Sequence, residues 1–194
     1  MDEQFKQSFE RAIISQTDPS ANQIIKQDAL KYCDALKQRD DIWKICLQFV
    51  LESSNDTVKF WCFGTLANFI TERYVFMVLY NDLFNNERHQ ILSDQDKDTI
   101  KNALMHWFSN ILNPKTPPFM RNKFCEALIS IFRIEYYPRW PTFFKDLFFI
   151  LQNSPSELMI DMYLRILDTI DTEFVARYID RSEVNHKRAI EIVS

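Results

Sequence analysis

The chain has a single glycine among its 194 residues, Gly64. Phosphate-cradling loops, primed hairpin turns and G-x-S-x-G elbows all depend on glycine, because their backbones take up φ > 0 or lie close against a ligand. One glycine excludes nearly all of them. Cysteine is scarce as well. Cys33, Cys46, Cys62 and Cys125 form no C-x-x-C pair and sit among apolar neighbours, which reads as buried, reduced thiols in an intracellular protein. Positive charge is not in excess: the formal net charge is −4, so the chain lacks the basic footprint that draws a domain to nucleic acid. Long apolar runs are missing too. The longest, Val75 to Tyr80, is far too short to span a bilayer. The opening Met1-Asp2-Glu3-Gln4 is polar and acidic, unlike a secretory signal.

Catalytic and metal-binding patterns are equally thin. His89, His106 and His186 are scattered, with no H-E-x-x-H. Asp40/Asp41, Asp94/Asp96/Asp98 and Asp168/Asp171 are carboxylate clusters at helix ends or on polar faces, where acidic residues complement the helix dipole. No serine or cysteine has a recognisable base and oxyanion partner. The sequence reads as a binding protein, not an enzyme, with no cofactor and no metal site.

What is present is helix. Apolar residues make up 46% of the chain, enough for a real core. From 94 to 112, Ile100, Ala103, Leu104, Trp107, Phe108, Ile111 and Leu112 recur at i, i+3, i+4, i+7. From 156 to 175 a similar stripe comprises Ile160, Tyr163, Leu164, Leu167 and Val175, opposite Asp161, Arg165 and Asp168. No stretch alternates with period two. Start signals recur: Asp18-Pro19-Ser20 with Ser20 and Gln23 as a capping box, Asp40-Asp41, Ser54-Asn55-Asp56, Ser93-Asp94, Thr116-Pro117-Pro118, Ser154-Pro155 and Ser182-Glu183. These predict helices over 3–16, 20–38, 41–52, 56–73, 94–112, 117–136, 139–152 and 156–178, and a last one from about 183.

Helix pairs recur every ~40–50 residues, the HEAT/armadillo period. The helix over 117–136 carries two adjacent stripes, Phe124/Leu128/Ile131 and Cys125/Ile129/Phe132. Such breadth wants neighbours on two sides, as in stacked repeats. The expected fold is therefore all-α: a HEAT/armadillo-type, right-handed superhelical solenoid of antiparallel helix pairs. Trp61, Phe63, Trp107, Phe124, Leu128, Trp140, Phe144, Tyr163 and Leu167 should be mostly buried. Asn122 shares a stripe with Cys125 and Ile129 and should be partly buried. Val75–Tyr80 either extends the preceding helix or forms a short extra one, with a loop through Asn81, Asn85 and Asn86. It reads as an outer insertion or as an apolar patch for a partner. Val184, Ile190, Ile192 and Val193 open a helix that has no polar cap, so the chain reads as the cut end of a longer solenoid.

The tract RNKFCEALISIFRIEYYPRWPTFFKDL, Arg121 to Leu147, is the most informative. A polar opening, a wide apolar helix, and then E-Y-Y-P-x-W-P-x-F-F-x-D-L resemble the third repeat of the importin-β/exportin superfamily. Val58-Lys59-Phe60-Trp61-Cys62-Phe63, followed by Leu66, resembles the second-repeat helix of exportins. Asp161–Leu167 and Ile170–Val175 are similar to the fourth-repeat helix of the exportin-T family of tRNA export receptors, as, more weakly, are Met1–Gln4 and Trp43–Cys46. Gly64 and Ala67 depart from the family's usual Gln and Glu, and 75–90 is longer than in relatives.

The resemblance implies an importin-β-like N-terminal region over about 1–112 and exportin-like third and fourth repeats over about 117–194. It implies binding to Ran in its GTP form through the inner helices 41–52, 94–112 and 139–152. The candidate contacts are Lys44, Gln48, Asp98, Asn102, His106, Thr142 and Asp146. It implies tRNA as cargo, held mostly by sequence beyond this chain, with Arg177, Arg181, Lys187 and Arg188 as local candidates. Nuclear pore proteins are implied partners, no membrane is, and the protein is expected to shuttle between nucleus and cytoplasm. Two alternatives stay open: an exportin of another cargo, protein or other RNA, and a HEAT scaffold that does not bind Ran.

Overall fold

The structure, a computed structural model, describes residues 2–80 and 92–175; the side chains of 73–80, 174 and 175 fall outside that description. The described backbone forms eight α-helices: α1 (Glu3–Thr17), α2 (Gln23–Lys37), α3 (Ile42–Glu52), α4 (Asp56–Tyr80), α5 (Asp94–His106), α6 (Pro118–Glu135), α7 (Phe143–Asn153) and α8 (Glu157–Ile170). The chain continues past α5 and α8 in single π-helical turns, Trp107–Ile111 and Asp171–Val175. No strand occurs among the described residues. The fold is all-α, of the HEAT solenoid type. Val75–Tyr80 extends α4. Residues 81–91 and the helix expected from 183 lie outside the described residues.

Local chemistry sets the boundaries. Asn22 Oδ1 accepts the Ile24 amide at 3.0 Å and caps α2. The expected Ser20/Gln23 box does not form, because Ser20 turns its hydroxyl and amide onto Asp18, at 2.6 and 2.8 Å. Asn55 Oδ1 caps α4 by accepting from Thr57 and Val58. A full capping box stands at Ser93 and Asp96. Asp41 does not cap α3; the Arg39 guanidinium takes its carboxylate with two bonds of 2.8 Å and holds it below its usual pKa. α7 starts at Phe143, later than the 139 expected. Arg139 and Trp140 both donate their amides to the Glu135 carbonyl, at 3.0 and 2.9 Å, and this turn delays the helix.

The chain divides into two compact units, Met1–Leu112 with Thr116–Ile134, and Asn113–Lys115 with Glu135–Ser194. In the first, α1 packs on α2 and α3 on α4. Phe9 stacks on Phe49 at 4.2 Å and meets Trp61 edge-on, so one aromatic cluster ties α1, α3 and α4 together. A second cluster joins Phe63 of α4, Trp107 and Phe108 of the π-turn, and Phe124 of α6. On the rim, Lys6 pairs with Glu52 at 2.9 Å and Ser53 donates to Glu10 at 2.7 Å. Both stripes of α6 are buried. Asn122 is exposed instead, since it sits at the outer edge of the second stripe. Gly64 has ordinary backbone geometry, and a Cβ there would meet Lys123 Cδ at an ordinary 3.5 Å.

In the second unit, α7 packs on α8. The E-Y-Y-P-R-W-P segment is a clamp on its own turn. The Glu135 carboxylate is 1% exposed and accepts from Arg139 Nε at 2.9 Å. Trp140 Nε1 donates to Asp146 Oδ2 at 2.8 Å, and its ring meets Phe143 edge-on. Tyr136 packs on Phe144. On α8 the buried stripe is Met159, Met162, Ile166 and Ile170. The expected stripe is rotated outward: Ile160 is 50% and Leu164 57% exposed, with Tyr163 and Leu167 half-buried. Arg165 and Asp161 form the expected i, i+4 pair at 2.8 Å. Phe63, Trp107, Phe124, Leu128 and Trp140 are buried as expected, and Trp61 and Phe144 partly so.

Candidate partner-binding surface

Five of the candidate contact residues lie in the first unit. α3 is apolar on most of its circumference and buries Ile42, Trp43, Ile45, Cys46, Leu47, Phe49 and Val50. Only a narrow strip is left for solvent, and Lys44 and Gln48, four residues apart, share it. Lys44 Nζ lies 5.1 Å from the centre of the Trp43 ring, a contact that steadies the cation without neutralising it. Gln48 donates to both Glu52 oxygens, at 3.2 and 3.1 Å. Glu52 also takes Lys6. That bond, ahead of the one from Gln48, lowers the Glu52 pKa, and the same bond raises that of Lys6.

α5 neighbours α3. Asp98, Asn102 and His106 follow one another at i, i+4, i+8 on its outer side. Asp98 receives Lys101 Nζ at 2.8 Å. Asn102 and His106 are exposed, and Asn110 reaches the His106 ring at 3.2 Å. The structure thus brings a cation with no ion-pair partner among the described residues, an amide and an imidazole onto two adjacent helices. It also gives Gln48 and Asp98 partners within the chain that a binding protein would have to displace.

Thr142 and Asp146 lie in the second unit and bond to each other at 3.0 Å. Asp146 Oδ2 is the acceptor that pins Trp140. Its main task is visible in the fold, and it is a poor contact candidate for that reason. Arg177, Arg181, Lys187 and Arg188 lie outside the described residues.

The sequence reading missed one exposed group. Phe60 and Phe119, 38% and 51% exposed, meet edge-on at 5.5 Å, and Lys123 Nζ stands 5.4 Å over the Phe60 ring. α4 is apolar almost all round, so periodicity gave no way to tell its wet side from its dry one. Among the described residues no cluster of His, Cys, Asp or Glu could hold a metal ion, and no helix is long and apolar enough to cross a membrane.

Comparison with known proteins places this architecture. The family model described as Exportin 1-like protein matches residues 117–193, which include the Glu135–Trp140 clamp. Exportin-T of Dictyostelium discoideum is 32% identical over 175 residues, 90% of this chain. Along most of its length this chain is similar to exportin-T. Human exportin-T is 31% identical over 82% of the chain, and that of Danio rerio 33% over 88%. The matched regions amount to 14%, 15% and 16% of these relatives, so the match spans about a seventh of their length. In this chain the Glu135–Asp146 part of the tract is a folding element, with Arg139 held by Glu135 and Trp140 by Asp146.

Proposed function

We propose that this chain is the Ran-contacting end of a nuclear export receptor whose cargo is tRNA, and that the parent protein shuttles between nucleus and cytoplasm past nuclear pore proteins. The observation that carries the reading is similarity to exportin-T along most of the chain. The mixed charge of the α3/α5 surface supports it, because Lys44 beside the Asp98–Lys101 pair suits a patterned protein surface better than a phosphate track. A net charge of −4 leaves most tRNA contact to sequence beyond this chain, with Arg177, Arg181, Lys187 and Arg188 as local candidates.

The mechanism is linkage. Cargo and Ran-GTP assist one another on one superhelix if both favour the same curvature, and the coupling is reciprocal. Typical couplings of about 1–3 kcal/mol correspond to roughly 5–150-fold in affinity. The test is binding of tRNA to the full-length parent with and without Ran-GTP. Mutual tightening in that range, absent with Ran-GDP, supports the proposal. Equal tRNA binding in both conditions removes it. Ran-GTP binding coupled to a protein cargo instead of tRNA leaves only the broader export-receptor reading. Lys44→Glu combined with Asn102→Lys should weaken Ran-GTP binding and leave the fold intact, since both side chains are exposed.

A further inference from the structure

We propose that the exposed side of α4, with the rims of α2 and α6, is a docking surface for a short acidic, amphipathic peptide segment of another protein. The surface is separate from the α3/α5 candidate, and its assignment does not rest on the Ran or tRNA reading.

The placing of rings and cations carries it. Successive residues advance about 100° round an α-helix. Thr57, Phe60, Trp61, Gly64 and Asn68 therefore share one side of α4, turned away from the buried Val58, Cys62, Leu66 and Phe69. All five are at least partly exposed and none is charged. Each ring on this side has a lysine over it, from a different helix. Lys37 of α2 stands 5.7 Å from the centre of the Trp61 ring, and Lys123 of α6 stands 5.4 Å from that of Phe60. Phe119 of α6 meets Phe60 at 5.5 Å with 73° between the planes. Both rings are more than a third exposed, so they form a corner that admits an apolar side chain. Gly64 keeps the floor beside the corner low, with the Lys123 stem 3.5 Å from where a Cβ would stand. Both lysines are thus held in place before any partner arrives, which lowers the cost of ordering them on binding.

Charge chooses the occupant. Lys37 pairs with Asp34 at 3.0 Å and Lys123 with Glu126, each acid on the lysine's own helix and about half exposed. An ammonium has three donors, so each lysine can take a second carboxylate while it stays over its ring. A segment with an apolar strip between acidic residues sets the strip on Phe60, Trp61 and Phe119 and its carboxylates on the two lysines. RNA fits less well. Asp34 and Glu126 already balance the two cations and would lie beside its phosphates, whose binding depends on net positive charge.

The experiment selects short random peptides displayed on phage against the 194-residue chain. The enriched peptides are synthesised with a fluorescent label and titrated by anisotropy. Enrichment of leucine or phenylalanine beside aspartate or glutamate is expected. Phe60→Ala combined with Phe119→Ala should weaken these peptides about tenfold or more. Both side chains are partly exposed, and circular dichroism checks that the helices remain. Lys37→Gln and Lys123→Gln keep the rings and should each weaken binding about threefold. They should leave unchanged the binding of the same peptides with their acids replaced by asparagine and glutamine. If the double variant misfolds, these two lysine variants decide. Phe149→Ala, in the other unit, is the control and should change nothing. No enrichment, enrichment of basic peptides, or equal binding to all the variants overturns the proposal. So does an oligouridine that binds more tightly than the peptides and is lost with the two phenylalanines, which makes unpaired RNA the occupant.

Discussion

α6 and α8 are built alike and finished differently. Each carries two neighbouring apolar stripes. On α6 both are covered: Phe124 touches Phe63, Trp107 and Phe108, and Cys125, Ile129 and Phe132 are buried as well. On α8 only the Met159–Ile170 stripe is covered, and Ile160 and Leu164 face solvent. The lesson concerns what a broad apolar arc means. It states how many neighbours a helix is made to have, and only the structure tells how many it has found.

The comparison is broken most directly by core truncation. Phe124→Ala should cost about 3–5 kcal/mol, because it removes a fully buried ring from a packed aromatic cluster. Leu164→Ala in the same 194-residue chain should cost less than about 0.5 kcal/mol, as surface changes do. Urea unfolding of both variants measures this, and a Leu164→Ala cost near that of Phe124→Ala would mean that α8 is already packed on both sides.

The second unit has its own polar anchor. Arg139→Ala leaves the Glu135 carboxylate buried beside a lost guanidinium. A loss of about 2–3 kcal/mol is expected, discounted from the fully buried case because Arg139 is 30% exposed. Glu135→Gln in the Arg139→Ala background should recover part of that loss, since the neutral amide is cheaper to bury. No recovery would show that Arg139 acts through its turn alone.

Gly64→Ala sharpens the picture of α4. Glycine in a helix interior costs about 0.5–1 kcal/mol against alanine, and the new methyl meets only Lys123 Cδ at an ordinary distance. Thermal unfolding should show stabilisation of that size. Destabilisation would mean that α4 and α6 need a closer approach than 3.5 Å allows.

The smallest effect is acid sensitivity of the rim. Asp41 is held low by Arg39, and Glu52 by Lys6 and then Gln48. A lowered folded-state pKa gives stability that is present above the unfolded value and lost as pH falls through the folded one. A slight extra drop in stability is expected as pH falls below the ordinary carboxylate values of 3.8 and 4.5. Glu52→Gln should remove its part of the drop. An unchanged acid limb in that variant would show that the Lys6–Glu52 pair is neutral in its effect on folding.

Much of this architecture was readable from spacing. The helix starts at 3, 42, 56, 94, 118 and 157 fall within a residue of the predicted starts, and at 56 and 94 the local caps Asn55 and Ser93 set them. The rotated stripe of α8 was not readable. Two apolar stripes lie side by side there, and which one is buried is decided by tertiary neighbours. The late start of α7 was missed because Glu135, four and five residues upstream, captures the amides of Arg139 and Trp140. Asn122 was misplaced for a related reason: a residue at the edge of a stripe can turn either way. At the candidate surface, residue types and faces could be placed in advance. The partners of Gln48 in Glu52, Asp98 in Lys101 and Asp146 in Trp140 could not, because they depend on where side chains settle.

The distribution of the reactive and fluorescent side chains has a practical consequence. All four thiols, Cys33, Cys46, Cys62 and Cys125, fall in the first unit, and burial pushes the Cys33 and Cys62 groups up and keeps them protonated. The second unit has no cysteine, and Trp140 is its one indole. In a denaturant titration, the appearance of thiols that react with a chromogenic disulfide reports the opening of residues before Ile134. With Trp43, Trp61 and Trp107 replaced by phenylalanine, the emission of Trp140 reports the other unit. The chain carries two separate optical clocks, and whether they keep the same time decides whether its two units melt as one.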